Sequence, residues 1–464
     1  MKDMTLEAMA AACHGQLIGA NAKQYLNAQG IVIDNRMVQD DYVFVAIKGE
    51  RTDGHQYVEQ AFADGALAVV TEQPITVAKP YILVASTRQA LKDLAAYYLS
   101  RLNVKVVGIS GSVGKTSTKE IIASVLSQKY QVHKTDGNFN NEIGLPLTIF
   151  KMKESHQVAV LEMGISEFGE MHRLASVSRP DVAVLTNIGL SHLKTLGSRE
   201  GILKAKTEMF DHLRDGADVI LNGDDDLLST IRDVHGKAPV FYGIGTEKPQ
   251  TALYPEKEIY ASDIKNMGLK GIRLTIHTKQ ETFATQIPIP GMHNVFNALA
   301  ATAVGLQMGL TTAEIKAGIE QARTIDGRTN LIETGRLTVI DDCYNANPLS
   351  MKASIDVLAT ALGRTIAVLG DMGDLGQNER ELHYEVGRHL AEKNIDILFC
   401  AGQLSQEIAR AARENRAACE VHAFDSRDEM LRELLPFLTE GDSVLVKASH
   451  FMEFSEVVEA IITM

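Results

Sequence analysis

Two spacings of apolar residues alternate along the chain. Continuous β-branched runs such as VKVVGIS (104–110) and VAVLEMG (158–164) alternate with amphipathic stretches such as TKEIIASVLSQ and EGILKAKTEMFDHL. The continuous runs indicate strands that are buried on both faces, and apolar residues three to four positions apart indicate helices. The pattern therefore predicts α/β domains built on parallel sheets with helices on both faces.

Three segments carry this pattern and indicate three domains. Residues 1–83 combine the short strands IVIDN, DYVFVAI and ALAVV with a helix near 56–64, which predicts a small α/β domain. Residues 84–318 begin with the helix RQALKDLAAYYLSRL, include a strand-rich excursion at 252–290, and predict a central parallel-sheet domain. Residues 319–464 alternate again through LTVIDD, TIAVLGDM and DSVLVKAS, which predicts a C-terminal Rossmann-like domain.

The composition of the chain excludes several classes of binding partner. The net charge of −13 argues against non-specific binding to nucleic acid or a membrane surface, because both are polyanionic. No run of 18 apolar residues is long enough to span a bilayer, and the acidic N-terminal stretch does not resemble a signal peptide. The four cysteines form no CxxC pair, which favours a reducing compartment over a zinc site. We expect a soluble, cytoplasmic, monomeric protein without a transmembrane segment.

A glycine-rich loop follows the first strand of the central segment. VKVVGISGSVGKTSTKE has the order strand, loop and helix, so backbone N–H groups and the helix N-terminus would face a phosphate. The strict motif G-x-x-x-x-G-K-[ST] fails because Ile109 stands where its first glycine belongs, but G-x-x-G-K-T holds. A chance strand–glycine–helix turn is the alternative. The loop positions predicted to bind ATP are Gly111, Ser112, Val113, Gly114, Lys115, Thr116 and Ser117.

Polar side chains stand where predicted parallel strands end, which is where open sheets bind ligands. They include Glu162, Asn187, Asp342 and Asp371. Glu162 is either a metal-binding acid beside the phosphate loop or a carboxylate that caps a helix. His192 is either a metal ligand or an ordinary hydrogen-bonded histidine.

Lys206 lies on the apolar side of its predicted helix. At 100° per residue it falls within the arc formed by Ile202, Met209 and Phe210. A lysine that faces a core tends toward the neutral amine, which reacts with CO₂ to give an anionic carbamate able to bind Mg²⁺. The alternative is that its stem follows the core while its ammonium group reaches water.

The motifs taken together resemble the Mur ligases across essentially the whole chain. The segments that carry this resemblance are GSVGKT (111–116), GNFNNEIGLPLT (137–148), LEMG (161–164), LTNIGLSHLKTLGS (185–198), AKTEMF (205–210), GMHNVFNALAA (291–301), DGR (326–328), DDCYNANPLSM (341–351), VLGDMGDLG (368–376) and IKGERTDGH (47–55). The resemblance implies a UDP-substrate domain, a central ATP-binding domain and a third domain that closes over both.

The resemblance also implies roles for single residues around ATP. Lys115 would bind the phosphates, Asn297 would meet the adenine, and Arg328 and Asp342 would reach the γ-phosphate and the ribose. For Asn297, packing within its own helix is the alternative. The residues implied to hold two Mg²⁺ ions are Thr116 with Glu162, and His192 with a carbamylated Lys206.

The implied substrates are UDP-N-acetylmuramoyl-tripeptide and D-alanyl-D-alanine. The positions that match the UDP-sugar loops are Asp34, Asn35, Arg36, Gly49, Arg51, Asp53 and His55. Asn140 and Asn141 match polar positions near the substrate and the γ-phosphate, and Tyr344, Asn345 and Asn347 match the acceptor site. The chain departs from the family pattern at Asn35, where serine is usual, and at His450, where arginine is common.

The implied reaction is ATP-dependent amide formation through an acyl phosphate. The substrate carboxylate would attack the γ-phosphate, and the amine would then displace phosphate from the activated carbonyl group. Two alternatives stay open on the sequence. One is a related ligase that adds a single amino acid, and the other is a P-loop kinase or ATPase that needs no amine.

Overall fold

The computed structural model describes residues 1–19, 25–49, 52–76, 78–245, 256–415 and 419–464. The chain divides into two compact units. The first comprises Met1–Ile109, Tyr130–Ala183 and Thr207–Ala217, and the second comprises Ser110–Lys129, Val184–Lys206 and Asp218–Met464. This division follows neither of the boundaries proposed near residues 83 and 318, which remain predictions.

Helices and strands alternate along most of the chain. The helices are α1 (Leu6–Ala12), α2 (Val58–Ala63), α3 (Thr87–Arg101), α4 (Lys115–Leu126), α5 (Gly144–Phe150), α6 (Glu170–Ser178), α7 (Leu193–Leu196), α8 (Arg199–Thr207), α9 (His293–Gln307), α10 (Thr312–Glu320), α11 (Pro348–Leu358), α12 (Glu379–Ala391), α13 (Ser405–Asn415), α14 (Arg427–Phe437) and α15 (Ser455–Ile462). The strands are β1 (Gln16–Ile18), β2 (Gly30–Val32), β3 (Tyr42–Val45), β4 (Ala68–Thr71), β5 (Tyr81–Leu83), β6 (Lys105–Ser110), β7 (Val132–Lys134), β8 (Val158–Glu162), β9 (Val182–Leu185), β10 (Asp218–Asn222), β11 (Val240–Ile244), β12 (Ile259–Asn266), β13 (Ile272–His277), β14 (Thr282–Ile287), β15 (Asn330–Glu333), β16 (Thr338–Asp341), β17 (Thr365–Gly370), β18 (Ile397–Ala401), β19 (Glu420–Phe424) and β20 (Ser443–Lys447).

The first unit contains a five-stranded sheet in the order β1-β5-β4-β3-β2. Strands β2 to β5 are parallel, and β1 joins the edge antiparallel to β5. Phe44, Val58, Phe62 and Val69 pack together on one face of the sheet. The same unit contains the parallel strands β6, β8 and β7, with β8 pairing on both sides.

The second unit contains parallel strands β10, β11 and β12, which continue antiparallel through β13 and β14. These last strands are the predicted excursion at 252–290. Helix α9 packs against α4, and α10 approaches the same helix so closely at Gly318 that a Cβ there would lie 2.3 Å from Val125 Cα. The phosphate-loop helix is therefore tightly buried on that side.

A six-stranded sheet in the same unit has the order β15-β16-β20-β17-β18-β19. Strands β16 to β20 are parallel and β15 is antiparallel to β16. One core, built around Ile355 of α11 and Val386 of α12, covers one face, and another, built around Met430 of α14 and Val457 of α15, covers the other. Strand β20 lies between β16 and β17, so their carboxyl ends meet at one edge of the sheet. This arrangement is the Rossmann-like layout predicted for the C-terminal segment.

One predicted helix is shorter than expected. The periodicity of EGILKAKTEMFDHL predicts a single helix, but α8 ends at Thr207 and a 3₁₀ turn continues from Glu208 to His212. The tighter turn still buries Met209 and Phe210, which explains why the apolar spacing persists across the break. Within the described ranges, no helix is long and apolar enough to cross a membrane.

Candidate active site

The loop between β6 and α4 has the backbone of a phosphate-binding turn. Gly111 and Gly114 adopt positive φ angles of 153° and 81°, and Gly114 caps the helix that starts at Lys115. A Cβ on Gly111 would lie 1.9 Å from Thr186 Oγ1, so a side chain is excluded there. The loop thus presents backbone N–H groups at the N-terminus of a 12-residue helix, where a phosphate is favoured.

Thr186 and Asn187, which directly follow β9, hold this loop in place through hydrogen bonds. The Val113 N–H donates to Asn187 Oδ1 at 2.9 Å, and Asn187 Nδ2 donates back to the Val113 carbonyl at 2.9 Å. Thr186 Oγ1 donates to the same carbonyl at 2.7 Å. The sequence placed Asn187 at a strand end but did not indicate its role, and Thr186 was not predicted. Their only signal was their position directly after an apolar strand.

The loop also contains polar groups suited to an anion. Lys115 Nζ donates to the Gly111 carbonyl at 2.8 Å, which holds the ammonium group over the loop. The Ser112 hydroxyl is buried and has no hydrogen-bond partner among the described residues. Leaving such a group unpaired costs about 1–3 kcal/mol, so a ligand oxygen at this position would stabilise the loop. Thr116 is buried one residue beyond Lys115.

Asn297 lies beside the phosphate-loop helix. Its Oδ1 accepts a hydrogen bond from Thr118 Oγ1 at 2.8 Å, and its Nδ2 donates to Asn294 Oδ1 at 2.9 Å. Asn294 in turn donates to the Pro290 carbonyl at 2.8 Å. This series of amides ties the start of α9 to α4. The contact between Asn297 and adenine remains a prediction.

Lys206 is buried, with 1% of its surface exposed, as the helical periodicity predicts. Burial lowers the pKa of Lys206 well below its ordinary value, and the nearby charge of Lys115 lowers it further. The neutral amine is the form that reacts with CO₂. His192 is half-buried and precedes α7 with a left-handed φ of 62°.

In the first unit, Glu162 ends β8 with its side chain buried. Asn140 Nδ2 donates to Glu162 Oε1 at 2.8 Å, and the Glu162 N–H donates to Thr135 Oγ1 at 3.0 Å. Asn141 instead accepts from the Gly144 N–H at 2.8 Å and opens α5. The structure therefore brings Asn140 and Glu162 together, whereas Asn141 has a local structural task.

The candidate UDP-sugar positions of the first unit form two short turns. Asp34 accepts from Arg36 Nη2 at 2.6 Å, and this contact holds the pKa of Asp34 below its ordinary value. Asn35 lies between them. Gly49 lies at the surface, and Arg51 falls outside the described residues.

The second turn is fixed by His55. Its Nε2 accepts from the Glu72 N–H at 3.1 Å, so Nδ1 donates to Asp53 Oδ1 at 2.6 Å. Hydrogen bonds from the His55 backbone and ring lower the pKa of Asp53. Both ring nitrogens of His55 are thus used within the protein. This geometry suits a residue that positions the substrate loop.

The acceptor candidates lie at the edge of the six-stranded sheet. Tyr344 lies between Arg328, whose guanidinium carbon is 4.1 Å from the ring centroid, and His450, whose ring is 5.6 Å away. The Asn345 carbonyl accepts a hydrogen bond from Lys447 Nζ at 3.1 Å. Asn347 caps α11 through a reciprocal pair of hydrogen bonds with Ser350. Tyr344 is therefore the acceptor candidate that faces other functional candidates.

No group of three or more His, Cys, Asp or Glu side chains in the described ranges converges on a metal position. Mg²⁺ needs few protein ligands, because it keeps several waters and binds substrate phosphates. The hydroxyl of Thr116 and the carboxylate of Glu162 are hard oxygen donors of the kind that Mg²⁺ prefers.

The sequence suggested no specific role for the motif VLGDMGDLG, which lies at the end of β17. The Met372 N–H donates to His383 Nε2 at 2.8 Å, and His383 Nδ1 donates to the Glu379 carbonyl at 2.6 Å. The ring is therefore neutral and pins the loop to α12. Burial lowers the pKa of His383.

We expect His383→Gln to make the free energy of unfolding fall less steeply as the pH becomes acidic. Because the folded pKa of His383 is lowered, the unfolded chain takes up its proton first, and the free energy of unfolding falls as the pH drops below about 6.5. One such proton contributes at most about 1.4 kcal/mol per pH unit. Glutamine keeps a donor and an acceptor but does not titrate.

Urea unfolding followed by circular dichroism between pH 7.5 and 5.5 measures the slope. The exposed substitution His14→Asn should leave that slope unchanged, and an equal slope in wild type and His383→Gln would contradict the assignment.

Comparison with known proteins defines the class. Models of the Mur ligases match residues 27–108 (Mur ligase family, catalytic domain), 109–305 (Mur ligase middle domain) and 327–450 (Mur ligase, glutamate ligase domain). The chain belongs to the Mur ligase family. The resemblance inferred from the motifs and the three-domain α/β organisation are both confirmed.

Relatives with one particular activity cover nearly the whole chain. The UDP-N-acetylmuramoyl-tripeptide–D-alanyl-D-alanine ligase of Bacillus subtilis is 39% identical over 441 residues, which are 93% of this chain and 93% of that protein. A crystal structure of MurF from Acinetobacter baumannii has a TM-score of 0.89 at 32% identity and covers 99% of both chains. MurF ligase from Thermotoga maritima in complex with ADP has a TM-score of 0.82 at 29% identity, covering 94% of this chain and 97% of that one.

Proposed function

We propose that this protein is the ATP-dependent ligase that joins D-alanyl-D-alanine to UDP-N-acetylmuramoyl-tripeptide in peptidoglycan precursor synthesis. The observation that carries the proposal is the phosphate loop, held by Thr186 and Asn187 and containing the unpaired Ser112 hydroxyl. The full-length match to relatives with this activity supports the choice of substrates. The ADP complex of the Thermotoga maritima relative supports ATP as the nucleotide.

The chemistry requires a carboxylate to become an electrophile. A carboxylate oxygen of the tripeptide attacks the γ-phosphorus, the bond to the β-phosphate oxygen breaks, and ADP leaves. The amine of the dipeptide then attacks the acyl carbon, loses a proton and expels inorganic phosphate. Lys115 and the loop N–H groups neutralise the phosphate charge during the first step, while Arg328 approaches from the third domain.

We assign two Mg²⁺ sites on the chemistry of the side chains and their match to the family motifs. Thr116 and Glu162 would hold one ion, and His192 with carbamylated Lys206 would hold the other. Bound Mg²⁺ supplies neutralisation of phosphate charge. The amine of Lys206 is buried, and burial lowers its pKa, which favours carbamate formation, in which the nitrogen bonds to CO₂ and releases a proton.

The remaining assignments follow the same proposal. Asn140 would lie near the γ-phosphate with Glu162, Asn141 would hold its loop, and Asn297 would lie near the adenine. Segments 34–36 and 49–55 would bind the UDP-sugar, and Tyr344, Asn345 and Asn347 would form the acceptor side. We place the enzyme in the cytoplasm as a monomer. No disulfide joins any of the four cysteines, all of which lie in the described part of the chain, and this agrees with a reducing compartment. Light scattering on the eluted protein would test the monomer.

Substrate omission tests the function directly. Purified protein with ATP, Mg²⁺, the UDP-tripeptide and the dipeptide should release phosphate only when every component is present. The product should gain the mass of the dipeptide less one water. Phosphate release with a single amino acid in place of the dipeptide would assign the chain to a related ligase. Release without any amine would return it to a P-loop kinase or ATPase.

A further inference from the structure

Residues 186–206 contain both side chains assigned to the second Mg²⁺ ion. His192 lies in the irregular stretch after β9, and Lys206 lies in the last turn of α8. The backbone between them turns sharply, with left-handed φ of 62° at His192 and 79° at Gly197. Two ligands on different elements can share one ion only if other contacts fix these elements relative to each other.

Ile188, which lies between β9 and His192, is bound through both of its backbone groups. Its N–H donates to Asp225 Oδ2 at 2.8 Å, and its carbonyl accepts from Arg199 Nε at 3.0 Å. Ile188 and Asp225 are buried, so the Ile188 N–H depends on this carboxylate for its hydrogen bond. The chain is thus fixed just before the stretch that carries His192.

The guanidinium group of Arg199 is held by the neighbouring carboxylate. Nη1 and Nη2 of Arg199 donate to the two oxygens of Asp226, the first at 2.9 Å. This bidentate pair leaves Nε directed at the Ile188 carbonyl. Consecutive aspartates after β10 therefore serve the two sides of Ile188, Asp225 directly and Asp226 through the arginine. We call Asp225, Asp226 and Arg199 the Ile188 bracket.

Arg199 is also the first residue of α8, the helix whose last turn contains Lys206. An α-helix rises about 1.5 Å per residue, so Lys206 lies about 10 Å along the axis from Arg199. The hydrogen-bonded backbone of α8 is stiff over this length. The bracket consequently ties the start of α8 to the strand end that leads to His192, and the helix carries this constraint to Lys206.

We propose that Arg199 is a positioning residue, which holds His192 and carbamylated Lys206 at the spacing needed to share one Mg²⁺ ion. The inference rests on the proposed function, which supplies the carbamate and the ion. If the ligands share an ion, Mg²⁺ and CO₂ raise each other's affinity by the same factor. Loss of the contact between Arg199 and Ile188 should weaken this coupling and leave both ligands in the chain.

The variants Arg199→Met and Arg199→Gln separate this contact from the ion pair. The amide nitrogen of glutamine takes the place of arginine Nε and can donate to the Ile188 carbonyl, whereas methionine has a methyl group there. Neither side chain can form the bidentate pair with Asp226. In Arg199→Met we expect kcat to fall about 10-fold and the Mg²⁺ concentration for half-maximal rate to rise about 10-fold. The KM for the dipeptide should stay within about 3-fold of wild type, and Arg199→Gln should recover most of both losses.

The ¹³C signal of the Lys206 carbamate measures the coupling without turnover. Protein with ATP, but with neither amide substrate, is titrated with ¹³C-bicarbonate at Mg²⁺ concentrations below and well above that of ATP. In the wild type, high Mg²⁺ should lower the bicarbonate concentration for half of the maximal signal on the order of 10-fold. In Arg199→Met the two concentrations should agree within about 3-fold, and in Arg199→Gln the wild-type difference should return.

A matched control lies at the other end of β10. Lys237 pairs at 2.7 Å with Asp218, the first residue of β10, so Lys237→Met removes an ion pair at the same strand without touching the bracket. We expect this variant to keep the wild-type rate, Mg²⁺ dependence and carbamate signal. If Arg199→Met does not fold, Arg199→Ala provides the same comparison, because 35% of the Arg199 side chain is exposed and its removal leaves no closed cavity.

Three results would overturn the positioning role. The first is wild-type coupling in Arg199→Met. The second is equal loss of coupling in Arg199→Met and Arg199→Gln, which would assign the effect to the ion pair with Asp226. The third is ligation by the unmutated protein without any carbamate signal, which would leave the proposed ligase activity intact. Absence of ligation by the unmutated protein would instead contradict the proposed function itself.

Discussion

Replacing Lys115 with alanine is expected to lower kcat for ligation on the order of 10³-fold while the protein stays folded. The ammonium group of Lys115 donates to the Gly111 carbonyl at 2.8 Å, over the glycine-rich loop that precedes α4. When a carboxylate attacks the γ-phosphate, two anions must approach, and Lys115 is the loop's only side-chain cation between Gly111 and Thr116. Its removal leaves that repulsion uncompensated.

Coupled ADP release with saturating substrates measures this effect, and melting curves check the fold. Lys316→Ala is a suitable control, because Lys316 is a half-exposed residue of α10 whose carboxylate partner, Glu320, lies 3.9 Å away. Surface pairs of this kind contribute little. Turnover of Lys115→Ala within about 3-fold of wild type would remove ATP from the proposed mechanism.

Lys206→Ala is expected to reduce kcat on the order of 10²- to 10³-fold. The side chain is buried, and its pKa is lowered by burial and by Lys115. The positive charge that disfavours a second ammonium group would stabilise an anion at the same position. Carbamylation therefore exchanges a repulsive pair for an attractive one, and alanine removes the nitrogen on which the carbamate forms.

Added acetate or formate should restore part of the activity of Lys206→Ala, because a small carboxylate fits the space that the side chain vacates. Protein incubated with ¹³C-bicarbonate should give a carbamate carbon signal that Lys206→Ala lacks. Lys204→Ala, two residues away and exposed, should keep both the signal and the rate. Full activity of the wild type in CO₂-free buffer, without a carbamate signal, would disprove this role.

Local patterns were sufficient to predict several of these features. The strand–glycine–helix order predicted the phosphate loop, and helical spacing predicted the burial of Lys206. Both depend on residues within one or two turns of each other. The break of α8 at Thr207 was missed, because a 3₁₀ turn preserves the apolar spacing of an α-helix over so few residues.

Features that depend on distant segments could not be predicted. Thr186 and Asn187 hold Val113 across more than 70 residues of chain, and nothing local distinguishes them from other strand-end residues. The hydrogen bond that Lys447 donates to Asp342 follows from the register of β16 and β20, which pairs Asp341 with Val446 and brings Lys447 alongside. Sequence spacing alone does not fix that register. The short edge strands β1 and β15 were missed for the same reason.

The position of β20 has a consequence for biosynthesis. This strand is central in its sheet, between β16 and β17, yet it follows the outer strands β18 and β19 in chain order. During synthesis, β16 and β17 leave the ribosome before β20. The backbone edges of β16 and β17 that pair with β20 therefore stay unpaired until residues 443–447 are made. Such open edges invite intermolecular pairing. The nascent C-terminal domain should therefore depend on chaperone protection late in translation, whereas the strands of the N-terminal sheet are complete early.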